Sequence, residues 1–209
     1  MIPKPDTWNI VLAGLWNRAI FSPEWVSRLL FHEPEVETLI SVMPVLPIVY
    51  RNRQVAVEIA SSRLVFRPRE LNDECIRSAE GMAHIVLDTL RDTPLLGVGI
   101  NFAFTEANPC RDLVEMFELA DDATLGEARW NIRGRRIVRT LERNGDSLNL
   151  SLVFDGRELT VEFNFHTETS DNQASQDAVH DRAIRLRDSA LLLLDQTYNL
   201  QLNDGDDDE

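Results

Sequence analysis

Between residues 146 and 166 the chain alternates apolar and polar side chains almost without interruption, and few structures accept such a pattern. Leu148, Leu150, Leu152 and Phe154 fall on one set of alternate positions, and Leu159, Val161, Phe163 and Phe165 on a second. Successive side chains of a strand point to opposite faces, so each run has one apolar and one polar face. Asp155-Gly156 lies between the runs, and both residue types accept the positive φ of a tight hairpin turn. Antiparallel strands with one face on a core are therefore expected here. Gly134 and Asn144-Gly145 extend the reading to four strands over residues 127–166.

The rest of the chain reads as more strands interrupted by well-marked helices. Residues 8–16 (WNIVLAGLW) are apolar on both alternating faces, as an inner strand would be. Ser22-Pro23-Glu24 is a helix start, with a capping hydroxyl, a first-turn proline and an early carboxylate. Period-two patterns then predict strands over 36–42, 45–50, 55–60 and 63–67, with Pro44 and Pro47 restricting the second to an edge or bulge. Asn72 caps a helix whose apolar positions Ile76, Ala79, Ala83, Val86 and Leu90 step by three and four. A strand follows with bulky Leu96, Val98, Ile100, Phe102 and Phe104 alternating with small residues, including Gly97 and Gly99. Asn108-Pro109 then begins a short helix, and one long helix is expected over 173–198.

The order of elements repeats. Residues 1–93 and 94–202 each read strand, short helix, four strands, long helix, and Pro23 and Pro109 stand 86 positions apart, as do Ser22 and Asn108. The expected class is α+β: two tandem β-α-β4-α halves forming a curved antiparallel sheet with helices on one face, followed by an acidic, disordered tail at 203–209. This order resembles the TATA-box-binding-protein-like fold. The resemblance rests on topology over nearly the whole chain and implies a saddle-shaped sheet. That family's DNA-binding saddle is basic and uses wedging phenylalanines, which find no equivalents here.

Charge narrows the range of partners. With 35 acidic and 21 basic residues the chain carries −14, and about −9 remains without the five acids of 204–209. Such a surface repels phosphates and anionic membranes at long range, which disfavours nucleic acid and membrane as partners. No apolar run approaches a membrane span and the N-terminal residues carry no secretory signal, so a soluble cytosolic protein is expected. Cys75 and Cys110 fit neither a disulfide framework nor a metal spacing, and no cofactor or metal motif is found. Of the histidines, His166, His180 and Asp181 are the best candidates to be brought together, across the connection from the last strand to the last helix.

The candidate binding residues are arginines and their neighbours. On a strand at 127–133, Arg129, Asn131 and Arg133 would share the polar face, joined by Arg136 and Arg139 from the same arginine-rich stretch and by Asn149, Asn164 and His166 from the following strands. This local basic strip on an acidic body suggests an interaction surface that orients a partner. The leading expectation is a non-enzymatic protein-protein interaction module, immunity- or antitoxin-like or regulatory, whose partner is another protein and, given the net charge, a basic one. The alternative is a small-molecule binder or enzyme with a pocket between helices and sheet, lined by Trp8, Trp16, Phe102 and Phe104. Nucleic-acid binding through the arginines of 129–143 ranks third.

Overall fold

The computed structural model describes residues 1–34, 36–39, 46–143 and 145–203. It is a mixed α+β structure built on one antiparallel sheet. Among the described residues the ten strands are β1 (Ile2–Pro3), β2 (Asn9–Gly14), β3 (Glu37–Leu39), β4 (Ile48–Arg51), β5 (Val55–Ile59), β6 (Arg63–Pro68), β7 (Leu95–Glu106), β8 (Arg135–Arg143), β9 (Asp146–Phe154) and β10 (Leu159–Glu168). Nine of them lie in the order β3-β4-β5-β6-β2-β7-β10-β9-β8, and β1 pairs with the far end of β7. The helices are α1 (Pro23–Trp25), continued by a π turn over Val26–Phe31, then α2 (Asp73–Thr89), α3 (Arg111–Glu115), α4 (Asp122–Glu127), α5 (Asn172–Val179) and α6 (Ala183–Tyr198).

The alternation read in the sequence becomes the two faces of this sheet. Ile10, Leu12, Ile100, Phe102, Phe104, Leu150, Leu152, Val161 and Phe163 form the inner face and are almost wholly buried. The apolar stripes of α2 (Ile76, Ala79, Ala83, Val86) and α6 (Leu186, Ala190, Leu194) are buried with them in one core. At about 25 cal/mol per Å² of apolar surface, each of the Val, Ile, Leu and Phe side chains contributes on the order of 2 kcal/mol. Tyr50 is buried too, and its hydroxyl donates to the Phe21 carbonyl at 2.6 Å, so an aromatic body can enter the core with its polar tip satisfied. That burial raises the phenol pKa.

Two expectations are corrected. Residues 127–133 are not a strand: α4 runs to Glu127, Arg129 takes a left-handed φ of 61°, and the Trp130 amide bonds back to the Leu125 carbonyl at 2.9 Å. Three strands, not four, therefore follow the short helices after β7. The alternation of Ala128, Trp130 and Ile132 was real, but the helix-end turn absorbs the backbone that a strand would have needed. The long helix expected over 173–198 is also divided. Asp181, at φ 51°, turns the chain between α5 and α6.

A residue far away in sequence makes that division stable. Arg182, at the N-cap of α6, offers no side-chain cap. Instead the carboxylate of Glu80, buried within α2, accepts from the backbone amides of Arg182 at 2.6 Å and Ala183 at 2.9 Å. Two orphan donors of the helix start are thereby satisfied across the α2–α6 interface, with a negative charge at the positive end of the helix. A second tie runs from Arg187 of α6 to Asp73 at the start of α2, at 2.5 Å. The expected strands at 36–42 and 45–50 and the Asn144-Gly145 turn extend beyond the described residues at 40–45 and 144, and the tail at 204–209 lies outside them.

Glu80→Ala should lower stability by about 1–2 kcal/mol, the range for losing a helix N-cap, read from the denaturant midpoint; an unchanged midpoint would remove the cap from the account. The hydrogen bond and charge of Arg187 hold the Asp73 carboxyl below its usual range. A depressed folded pKa gives stability that is present above the unfolded value of about 3.9 and is lost as pH falls through the folded value. Wild type should therefore exceed Asp73→Asn in stability at pH 7, and the gap should close progressively below about pH 4.

Candidate functional site: the uncovered face of the sheet

The outer face of the sheet carries the polar half of the alternation, and the strand registers bring four asparagines into one row. Asn9 of β2 lies opposite Asn101 of β7, Asn101 opposite Asn164 of β10, and Asn164 opposite Asn149 of β9. Thr140 of β8 completes the row. Directly opposed residues on one face are close enough for side-chain hydrogen bonds, and this row is bonded along its whole length. Thr140 Oγ1 donates to Asn149 Oδ1 at 3.0 Å, and Asn149 Nδ2 to Asn164 Oδ1 at 3.2 Å. Asn164 Nδ2 donates to Asn101 Oδ1 at 2.6 Å, Asn101 Nδ2 to Asn9 Oδ1 at 2.8 Å, and Asn9 Nδ2 to the Thr7 carbonyl at 2.9 Å.

An amide has two donor hydrogens and two acceptor lone pairs, so each inner asparagine can bond both neighbours and retain one donor and one acceptor. The row is thus a preformed strip of alternating donors and acceptors. It suits recognition of amides or hydroxyls and has no proton to move near neutral pH.

Rows on either side complete the surface. On one side Val11, Gly99, His166, Ser147 and Glu142 lie in register. Gly99 matters here, since a Cβ at this position would come within 3.3 Å of Asn164 Nδ2 and 3.7 Å of Asn101 Nδ2. On the other side Glu162 and Ser151 both bond to Arg136, whose Nε donates to Ser151 Oγ at 2.8 Å and whose terminal nitrogen meets Glu162 at 3.1 Å. Towards the opposite end of the sheet, Glu58 holds Arg67 at 2.9 Å and Arg63 at 3.8 Å. Arg136 and Glu162, and Glu58 with Arg63 and Arg67, thus pair locally on this face, while the chain as a whole carries −14.

The expected binding residues separate into three groups. Arg136, Asn149, Asn164 and His166 lie on this face. Arg139 is on the same strand but points to the helix side, where it donates to the Tyr198 hydroxyl at 2.9 Å. Arg129, Asn131 and Arg133 lie in the exposed loop 128–134 with Trp130, which is 72% exposed. His180 stands against His84, ring centroids 5.6 Å apart, and 3.5 Å from Asp181, whereas His166 neighbours Glu168 at 4.0 Å. Sequence reading missed Asn9 and Asn101; their only signal was an asparagine at the polar position of an otherwise apolar strand.

No family model matches the chain, and no curated protein matches it. The space between helices and sheet near Trp8 and Phe102 measures about 10 Å³, room for one water at most and far too little for a small-molecule ligand. A groove of about 540 Å³ lies outside the core, between α2 and α6, with Arg77, Arg185, Asp188 and Leu192 along it. Among the described residues no group of three His, Cys, Asp or Glu could hold a metal, and no helix is long and apolar enough to cross a membrane.

The row should report on stability before it reports on function. Asn101→Leu removes one acceptor and one donor from its middle and leaves Asn9 and Asn164 each short of a partner. A loss of about 1–3 kcal/mol is expected, together with loss of protection of the neighbouring amides in hydrogen exchange. A variant as stable as wild type would reduce the row to a crowd of solvated side chains.

Proposed function

We propose that this protein is a non-enzymatic interaction module that holds another protein against the uncovered face of its sheet. The observation that carries this reading is the hydrogen-bonded amide row spanning five strands. It is a rigid polar surface whose remaining donors and acceptors need no rearrangement to meet a partner. Ordering of that kind before binding lowers the entropic cost of association. The net charge of −14 favours a partner of opposite charge at long range. The arginine-bearing end of the sheet, from the loop 128–134 through β8, adds a local field of opposite sign that fixes orientation.

The fold reading that accompanies this function is a platform of two β-α-β-sheet-α units, 1–93 and 94–202, acting in the cytosol. The strand order supports it, because β2 and β7, the first long strand of each segment, are neighbours at the centre.

The test is capture from the source cells with tagged protein, comparing wild type with a variant carrying Ser147→Lys and Thr160→Lys. Both positions lie on the open face outside the amide row. A stoichiometric protein partner should be retained by wild type and fall at least tenfold with the variant, while Leu192→Lys on the helix layer leaves it unchanged. Capture that ignores the face substitutions, or a chain that retains nothing, would overturn the reading.

A further inference from the structure

The sheet ends in a strand with one side unused. β8 is the last in the strand order, nine residues long, and among the described residues its backbone bonds only to β9. At the opposite end of the sheet, the described residues of β3 are Glu37–Leu39. Long exposed edges invite another strand, and proteins normally blunt them with charge. Here the charge is all but one-signed: Arg135, Arg136, Arg139 and Arg143 against Glu142. Arg135 is matched by Asp122 at 2.6 Å and Arg136 by Glu162. Among the described residues Arg139 and Arg143 meet no carboxylate, although the chain has 35 acidic residues. The edge is also partly apolar. Val138 is 61% exposed on the outer face, and Ile137 and Leu141 are only partly buried against the core on the helix side.

We propose that β8 accepts an extended acidic segment of the partner as an added antiparallel strand. This deepens the interaction-module reading and rests on it. Backbone bonds to the free edge would supply affinity, and side chains at alternate positions would supply selection. Carboxylates belong opposite Arg143, Arg139 and Arg136, and apolar residues belong opposite Leu141, Val138 and Ile137. A second copy of the chain is a poor occupant. Pairing β8 with itself over its full length sets Arg139 against Arg139 and Arg135 twice against Arg143, three like-charged pairs against two Arg136–Glu142 pairs of opposite sign, and like charges directly opposed are destabilising.

The probe is a labelled peptide, Asp-Thr-Val-Ser-Asp-Val-Val-Asp, titrated with the full chain and followed by fluorescence anisotropy. Binding should weaken at least tenfold when the same residues are scrambled, and at least tenfold again when the amides facing β8 are N-methylated. It should fall at least tenfold with Arg139→Glu/Arg143→Glu, and a peptide with lysine in place of aspartate should recover binding to that variant, which also shows that the variant folds. Equal binding of the scrambled and N-methylated peptides would reduce the effect to surface charge and overturn the proposal. So would a peptide that binds only once Asp204, Asp206, Asp207 and Asp208 are replaced by Asn, since the chain's own acidic end would then be the occupant. A concentration-dependent dimer abolished by Val138→Pro would assign the edge to a second copy. Failure of the peptide while capture still depends on Ser147 and Thr160 would remove the edge and leave the face.

Discussion

The structure depends on the pairing of β2 with β7. Strands drawn from residues 1–93 meet strands drawn from 94–202 along β7, chiefly where β2 runs from Asn9 opposite Asn101 to Gly14 opposite Leu95, with the short β1 paired beyond it. Both strands are buried on the inner face, and Trp8, just before β2, packs edge-on against Phe102 and Phe104 of β7 at 5.1 and 5.5 Å. Its indole nitrogen also donates to the Ala103 carbonyl. Because the sheet is continuous through this seam, the helices above it form one layer. The cap from Glu80 and the ion pair from Asp73 both join α2 to α6, so they tie the helix layer across the line that β2 and β7 join below.

The same continuity explains the asparagine row. A row of side chains across five strands forms only if every register is correct, because a slip of one residue turns a strand's side chains to the other face. The inner-face apolar contacts fix the registers, and the outer-face amides read them out. Gly99 opposite Val11 leaves room for the row where a larger side chain would press on it. Packing on one face thus determines the polar geometry of the other.

Local chemistry in the sequence identified most elements, since each was set by neighbours in the chain. Ser22 does cap α1 through the Trp25 amide, Asn72 does cap α2 through the Cys75 amide, and Asp155-Gly156 does turn, with Gly156 at φ 94° and the Asp155 carboxylate taking the Arg157 and Glu158 amides. Those two hydrogen bonds depress the Asp155 pKa. What could not be read was anything set at long range. The break between α5 and α6 has no stop signal stronger than His180-Asp181, because the group that stabilises it is Glu80, about a hundred positions away. Residues 127–133 read as a strand because Trp130 and Ile132 alternate with polar neighbours, but the end of α4 and the left-handed turn at Arg129 take up that backbone. Arg139 was placed with the polar set by composition, although its register with Leu150 turns it to the helix side.

A sheet this wide with helices on one side has a standing problem: its other face and its ends must be kept from pairing indiscriminately. The outer face meets the requirement with amides that bond each other and with Arg–Glu pairs at both flanks, so it offers order without a large apolar patch. The β8 end meets it differently. Arginines opposed across the edge disfavour a second copy, yet they leave Val138, Ile137 and Leu141 partly uncovered and, among the described residues, two guanidiniums without carboxylates. An edge defended by one sign of charge is closed to its own kind and open to the opposite sign. In the proposed complex, the feature that would disfavour pairing with a second copy is therefore the one that would select the partner.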